Sequence, residues 1–167
     1  MRRLVCSLCL ILLVTSSLAA QDADSVAVKA EMPDPCTMLG EEQLRAHLPI
    51  EPADEITAEL SGVGREQDCS RACNWTWGFG RLVLHIEHKP DDRAMWATLE
   101  VANRINAGNA EPVRVDGTPS AYEPARNRLT WFKGERWLYT LTYFGSTRED
   151  QLPAMPLIAL AESATPS

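Results

Sequence analysis

The sequence predicts an α+β fold: an antiparallel β-sheet with helices packed on it, built as a single domain over residues 36–165. Three observations predict it. Residues 81–89 carry Leu82, Leu84 and Ile86 in one phase of a two-residue period with Arg81, His85, Glu87 and Lys89 in the other, two aromatic-rich runs flank Gly134-Glu135 as a hairpin, and helical patterns stand at the start, middle and end of the domain. Short connections and hairpins favour this class over a parallel, doubly wound sheet.

The elements follow in order. Gly40 caps a short helix from Glu41 to Leu48, with Glu41 and Glu42 in its positively polarised first turn. Leu39 and Leu44 fit a hydrophobic staple, and Pro49 stops the helix. Ile56–Leu60 reads as a strand, followed by the glycine-containing loop 61–68. Cys73–Trp77 reads as a strand with Trp75 and Trp77 on one side, turning at Gly78-Phe79-Gly80 into the strand Arg81–Lys89. There Leu82, Leu84 and Ile86 face one way, and Arg81, His85, Glu87 and Lys89 the other.

Asp91 or Asp92 starts the strongest helix, whose stripe is Met95, Leu99, Ala102 and Ile105 and whose end is Gly108. Strands follow at Pro112–Asp116 and Ala121–Glu123, then the hairpin of Arg128–Lys133 with Arg136–Phe144. The last helix runs from about Pro153 to Ser163, its two prolines tolerated in the first turn.

The ends and the charge set the compartment. Arg2-Arg3, the apolar run Leu4–Val14 and the small residues up to Ala20 form the three parts of a cleavable signal peptide over residues 1–20. The run is too short for a membrane span, which needs roughly 20 residues. No span is therefore expected in the mature chain, and the protein is expected to be extracytoplasmic, periplasmic or secreted. Residues 21–35 are polar, end in Pro33 and Pro35, and read as a flexible lead-in. Removal of residues 1–20 takes away Arg2 and Arg3 and no acid, so the net charge moves from −7 to −9. Such a domain repels phosphate backbones, which argues against nucleic acid as a partner. Of five cysteines, Cys36, Cys69 and Cys73 remain after processing, enough for one disulfide and one further thiol.

Asp34-Pro35-Cys36, Met38-Leu39, Glu41-Glu42-Gln43-Leu44 and Cys73-Asn74-Trp75 together resemble a family of exported bacterial domains of unknown function, many of them actinobacterial lipoproteins. Val115-Asp116-Gly117 with Ala121-Tyr122 stands where that family has a glycine-containing segment before a hairpin. The resemblance implies a fold similar to the PsbP-like α/β sandwich, a Cys36–Cys73 disulfide, and no assigned enzymatic activity. This chain departs from the pattern by lacking a lipid-attachment cysteine and by adding Cys69. In chain-entropy terms a Cys36–Cys73 bridge is worth about 4 kcal/mol and a Cys69–Cys73 bridge about 2 kcal/mol.

Motifs for chemistry are sparse. His85, Glu87 and His88 invite a metal reading, but on a strand His88 points away from the other two, so no metal is expected. No nucleophile elbow, zinc-protease helix or phosphate loop is present, so no catalytic residue and no cofactor are assigned. The aromatic residues are the concentration that invites a function. Trp131 on one hairpin strand, and Trp137, Tyr139 and Tyr143 on the other, share a face, and Trp96 lies off the stripe of its helix. That face either packs under the helices at 92–107 and 153–163 or forms an aromatic-lined groove for an unknown protein, glycan or small apolar ligand. The expected function is an exported, non-enzymatic binding or accessory protein of the cell envelope. The alternatives are a secreted inhibitor or immunity-type protein masking a partner enzyme, and a small hydrolase whose active site is assembled only in space.

Overall fold

In the computed structural model, residues 32–62, 70–88, 101–133, 137–145 and 151–164 are described. The chain divides into two units, Met1–Met32 and Pro33–Ser167. The second is an α+β fold whose seven-stranded sheet is antiparallel at every pairing. The strands are β1 (Thr57–Ser61), β2 (Ser70–Trp77), β3 (Gly80–His88), β4 (Glu111–Val115), β5 (Thr118–Glu123), β6 (Arg128–Lys133) and β7 (Trp137–Phe144). The helices are α1 (Glu41–His47), α2 (residues 101–106) and α3 (Ala154–Ser163). The strand order is β1-β2-β3-β7-β6-β5-β4. Two meanders, β1 to β3 and β4 to β7, therefore meet where β3 pairs with β7.

Local chemistry explains most element ends. Asp34 caps a 3₁₀ turn, Pro35–Thr37, through its carboxylate, which accepts from the Cys36 N–H at 2.9 Å. The segment read as a lead-in thus ends earlier than expected, because Asp34 and the buried Pro35 already belong to the fold. Gly40 caps α1, and the Gln43 Oε1 accepts from its N–H at 2.5 Å. The staple residues Leu39 and Leu44 are both buried. Lys133 Nζ donates at 2.5 Å to the carbonyl of Ala164, placing a cation at the negative end of α3.

The link between β4 and β5 is a two-residue hairpin turn. Asp116 and Gly117 both have positive φ, 48° and 76°, between the paired residues Val115 and Thr118. Asp-Gly suits that conformation because glycine carries no Cβ and aspartate tolerates the left-handed region.

The two sheet faces differ. One carries Cys73, Trp75, Trp77, Leu82, Leu84, Ile86, Leu129, Trp131, Tyr139, Leu141 and Tyr143, all buried. Helix α3 closes over it with Leu157, Leu160 and Ala161, and α1 packs against α3 with Leu44. The Trp131 and Tyr139 rings stack with centroids 5.2 Å apart, and so do those of Trp77 and Tyr143, at 6.3 Å. Cys36 and Cys73 are joined, with Cα atoms 5.0 Å apart, which ties the N-terminal turn to β2 beneath this layer.

The opposite face buries Ala121, Glu123, Thr130, Phe132 and Leu138. Arg104 of α2 reaches it, donating to Glu123 Oε1 at 2.8 Å and Thr130 Oγ1 at 3.1 Å. This corrects one expectation. The middle helix does not share the aromatic face with the last helix; its described part covers the other side. Of its predicted stripe, Ala102 and Ile105 are half-buried, Val101 is the buried residue, and Met95 and Leu99 lie outside the described residues, as do the turn Gly134-Glu135 and the signal-peptide segment. No described helix is long and apolar enough to cross a membrane.

Three outcomes follow. Cys36→Ser should lower the unfolding free energy by about 2–5 kcal/mol in a denaturant titration, and reduced wild-type protein should fall by a similar amount. Trp131→Ala should cost about 3–5 kcal/mol, since the ring is 1% exposed and its loss leaves a cavity in the core. Burial pushes the Tyr139 phenol up to about 12, against about 10 in an unfolded chain. Its contribution to stability is therefore complete below about pH 10 and lost as pH rises from 10 to about 12. Phenolate absorbance followed alongside circular dichroism should show Tyr139 ionising only as the fold is lost.

Candidate functional site

The aromatic residues singled out in the sequence fall in different places, and four of the five are described. Trp131 and Tyr139 are each 1% exposed and lie beneath α3, so they are core residues and not the wall of a groove. The physical reason is that alternation put both on the face that α1 and α3 must cover. Trp137 is half-buried, with His88 set edge-on against it at 5.1 Å. Tyr143 lies at the far end of β7 and lines a cleft there, and Trp96 falls outside the described residues.

That cleft has a volume of about 510 Å³. Four segments build it: the stretch after α1 with Pro49, Glu51 and Asp54; the β2–β3 turn with Trp77, Phe79 and Gly80; Tyr143 of β7; and Gln151-Leu152 before α3. Each is held in place. Arg45 of α1 donates to the carbonyls of Glu51 and Asp54 at 3.0 and 2.6 Å while pairing with Glu41 at 2.8 Å. The Asp54 N–H closes the turn on the Glu51 carbonyl at 3.0 Å. The Leu152 peptide is clamped from two sides: its N–H donates to Asn127 Oδ1 at 2.9 Å, and its carbonyl accepts from the Tyr122 hydroxyl. Burial, and then the charge of Glu111, raise the Tyr122 phenol above its ordinary value, which keeps that donor protonated.

The hairpin turn depends on glycine. Gly78 has φ +38°, and a Cβ there would lie 2.7 Å from Asp54 Oδ2, so Asp54 sits directly against the turn. A Cβ on Gly80 would lie 2.5 Å from the Trp77 ring. Two small residues thus let Trp77 fold under the turn, while Phe79 at its tip stays 89% exposed. Neither the Glu51 nor the Asp54 carboxylate has an ion-pair partner among the described residues. The cleft is therefore apolar at its base, aromatic at its tip and negative along one wall.

His85 and Glu87 share a face of β3, as their spacing requires, and His88 points to the other. Among the described residues, no three His, Cys, Asp or Glu side chains converge as a metal site. Cys69 lies outside the described residues. The sequence reading missed Glu51, Asp54 and Phe79 as site residues. A signal existed for Phe79, a large ring set between two glycines at a turn, but nothing local brings residues 51 and 54 to that turn.

Comparison with protein-family models, curated proteins and solved structures yields no match to this chain.

Proposed function

We propose that this chain is an exported, non-enzymatic binding or accessory protein of the cell envelope, and that the acidic aromatic cleft at the β2–β3 turn is its binding face. The observation that carries the reading is Phe79, 89% exposed beside two carboxylates without ion-pair partners among the described residues. One exposed ring would mean little alone. Here it stands over a cleft whose floor is apolar and whose wall is negative, and that combination suits a ligand with a cation on an apolar body. A lysine or arginine side chain presented by a protein segment has that chemistry, with the ring available for a cation–π contact of about 0.5–2 kcal/mol. Covering the Phe79 ring adds roughly 2 kcal/mol.

The negative balance of the chain, −7 as encoded, favours a basic protein as the occupant. That is the inhibitor or immunity-type alternative, acting through this same cleft. The disulfide is compatible with an oxidising compartment. Cleavage of residues 1–20, the kinship with exported lipoprotein-like domains and the PsbP-like sandwich belong to the same proposal. The intact mass of the mature protein from an envelope fraction tests the first of these.

The cleft is tested by substitution. Phe79→Ser and Glu51→Gln alter exposed side chains and should leave stability within about 0.5 kcal/mol. Wild-type protein immobilised and exposed to envelope extract should retain a basic protein that the double variant releases. Retention should fall as salt rises, because Glu51 is exposed and Asp54 only half-buried. Equal retention by wild type and double variant would remove this cleft from the function.

A further inference from the structure

A second cleft, of about 460 Å³, opens on the opposite face of the sheet and does not depend on the reading above. Its charge is reversed. Asn103, Arg104 and Ala107 come from α2 and its end, Asn109 from the following link, Glu123 from β5, Arg126 from the turn Pro124–Arg126, and Arg128 from β6. Three guanidiniums therefore surround one carboxylate.

Glu123 is buried, so it requires a cation, and Arg104 supplies one at 2.8 Å. Arg126 and Arg128 are surplus to that need. Arg126 reaches the other carboxylate oxygen at only 3.4 Å and its side chain is 63% exposed. Arg128 Nη1 stands 3.9 Å from Glu123, beyond hydrogen-bond range, and its Nε is buried with no hydrogen-bond partner. Neither of these two arginines has another partner among the described residues.

The described lining thus carries two positive charges in excess, in a chain whose overall charge is −7. Guanidiniums gathered this closely repel one another. The Arg128 guanidinium is held below its ordinary value by burial, against the pull of Glu123 and with the push of Arg104 and Arg126. A fold could relieve that repulsion by pointing one arginine elsewhere; here the chain brings all three to one cleft.

We propose that this cleft binds a small organic anion carrying carboxylate or phosphate groups, with Arg126 and Arg128 as its principal donors. Planar guanidiniums grip both groups through paired N–H donors. Two surplus charges match a ligand with at least two negative charges. The volume lies within the roughly 300–1,000 Å³ usual for small-molecule sites, larger than one inorganic ion needs. Asn103 and Asn109 can donate from the rim.

Calorimetric titration of the full mature protein with citrate and with inorganic phosphate, at matched ionic strength, tests this. Binding of either probe is expected, and the one that binds identifies the group recognised. Arg126→Ala removes an exposed side chain, so the fold should persist, and affinity should drop about tenfold or more, as loss of a charge-assisted hydrogen bond implies. Glu51→Gln, in the other cleft, should leave this affinity unchanged. Absence of binding by the wild type to both probes at millimolar concentration would overturn the proposal. So would binding that Arg126→Ala leaves intact.

Discussion

Eight residue pairs between β3 and β7, from Arg81 with Phe144 to His88 with Trp137, join two meanders that the strand order brings together at no other point. Every paired residue is more than 45 positions from its partner, so the chain closes a long loop before the pairing yields anything. What holds the joint is its dry side: Leu82, Leu84 and Ile86 on β3 against Tyr139, Leu141 and Tyr143 on β7. Helices α1 and α3, one from each end of the domain, meet over that side and protect it. The Cys36–Cys73 bond adds a covalent tie from the chain before α1 to β2, next to the joint.

The acidic cleft is a consequence of this joint. Trp77 belongs to the first meander and Tyr143 to the second, and their rings stack only because β3 and β7 are in register. The arginine cleft depends on the other half. Glu123 and Arg128 are directly paired across β5 and β6, and α2, within the crossover that carries the chain to the far edge, sets Arg104 above them. Two clefts of opposite sign therefore lie on opposite faces, each fixed by a different part of the topology. Their separation follows from alternation: Tyr122 and Leu129 face α3, while their chain neighbours Glu123 and Arg128 face α2.

Local physics made most of the elements legible in the sequence. The alternation of residues 81–89, the caps at Gly40 and Gly108 and the prolines at 153 and 156 mark strand and helices close to where they occur. Asp116-Gly117 carried a hairpin signal that the strand reading passed over, although both residues suit the positive φ they adopt. Which face α2 covers was not legible, because an apolar stripe says that a helix packs and not where. The aromatic face was correctly placed on one side of the sheet, yet its exposure depended on α3, whose position no residue in the hairpin encodes. The clefts were illegible for the same reason. Arg104 lies far in sequence from Arg126, and Asp54 far from Gly78, so only the folded sheet brings either pair together.

The dependence of the whole domain on the β3–β7 joint is open to one direct measurement, native-state hydrogen exchange followed amide by amide under increasing denaturant. The amides that bond β3 to β7 should exchange last and together, with a free energy equal to that of global unfolding. The edge strands β1 and β4 should open at lower cost. If β3 and β7 instead exchanged in two separate classes, each with its own meander, the sheet would be two independently stable halves, and the account of a single core closed at that joint would be wrong.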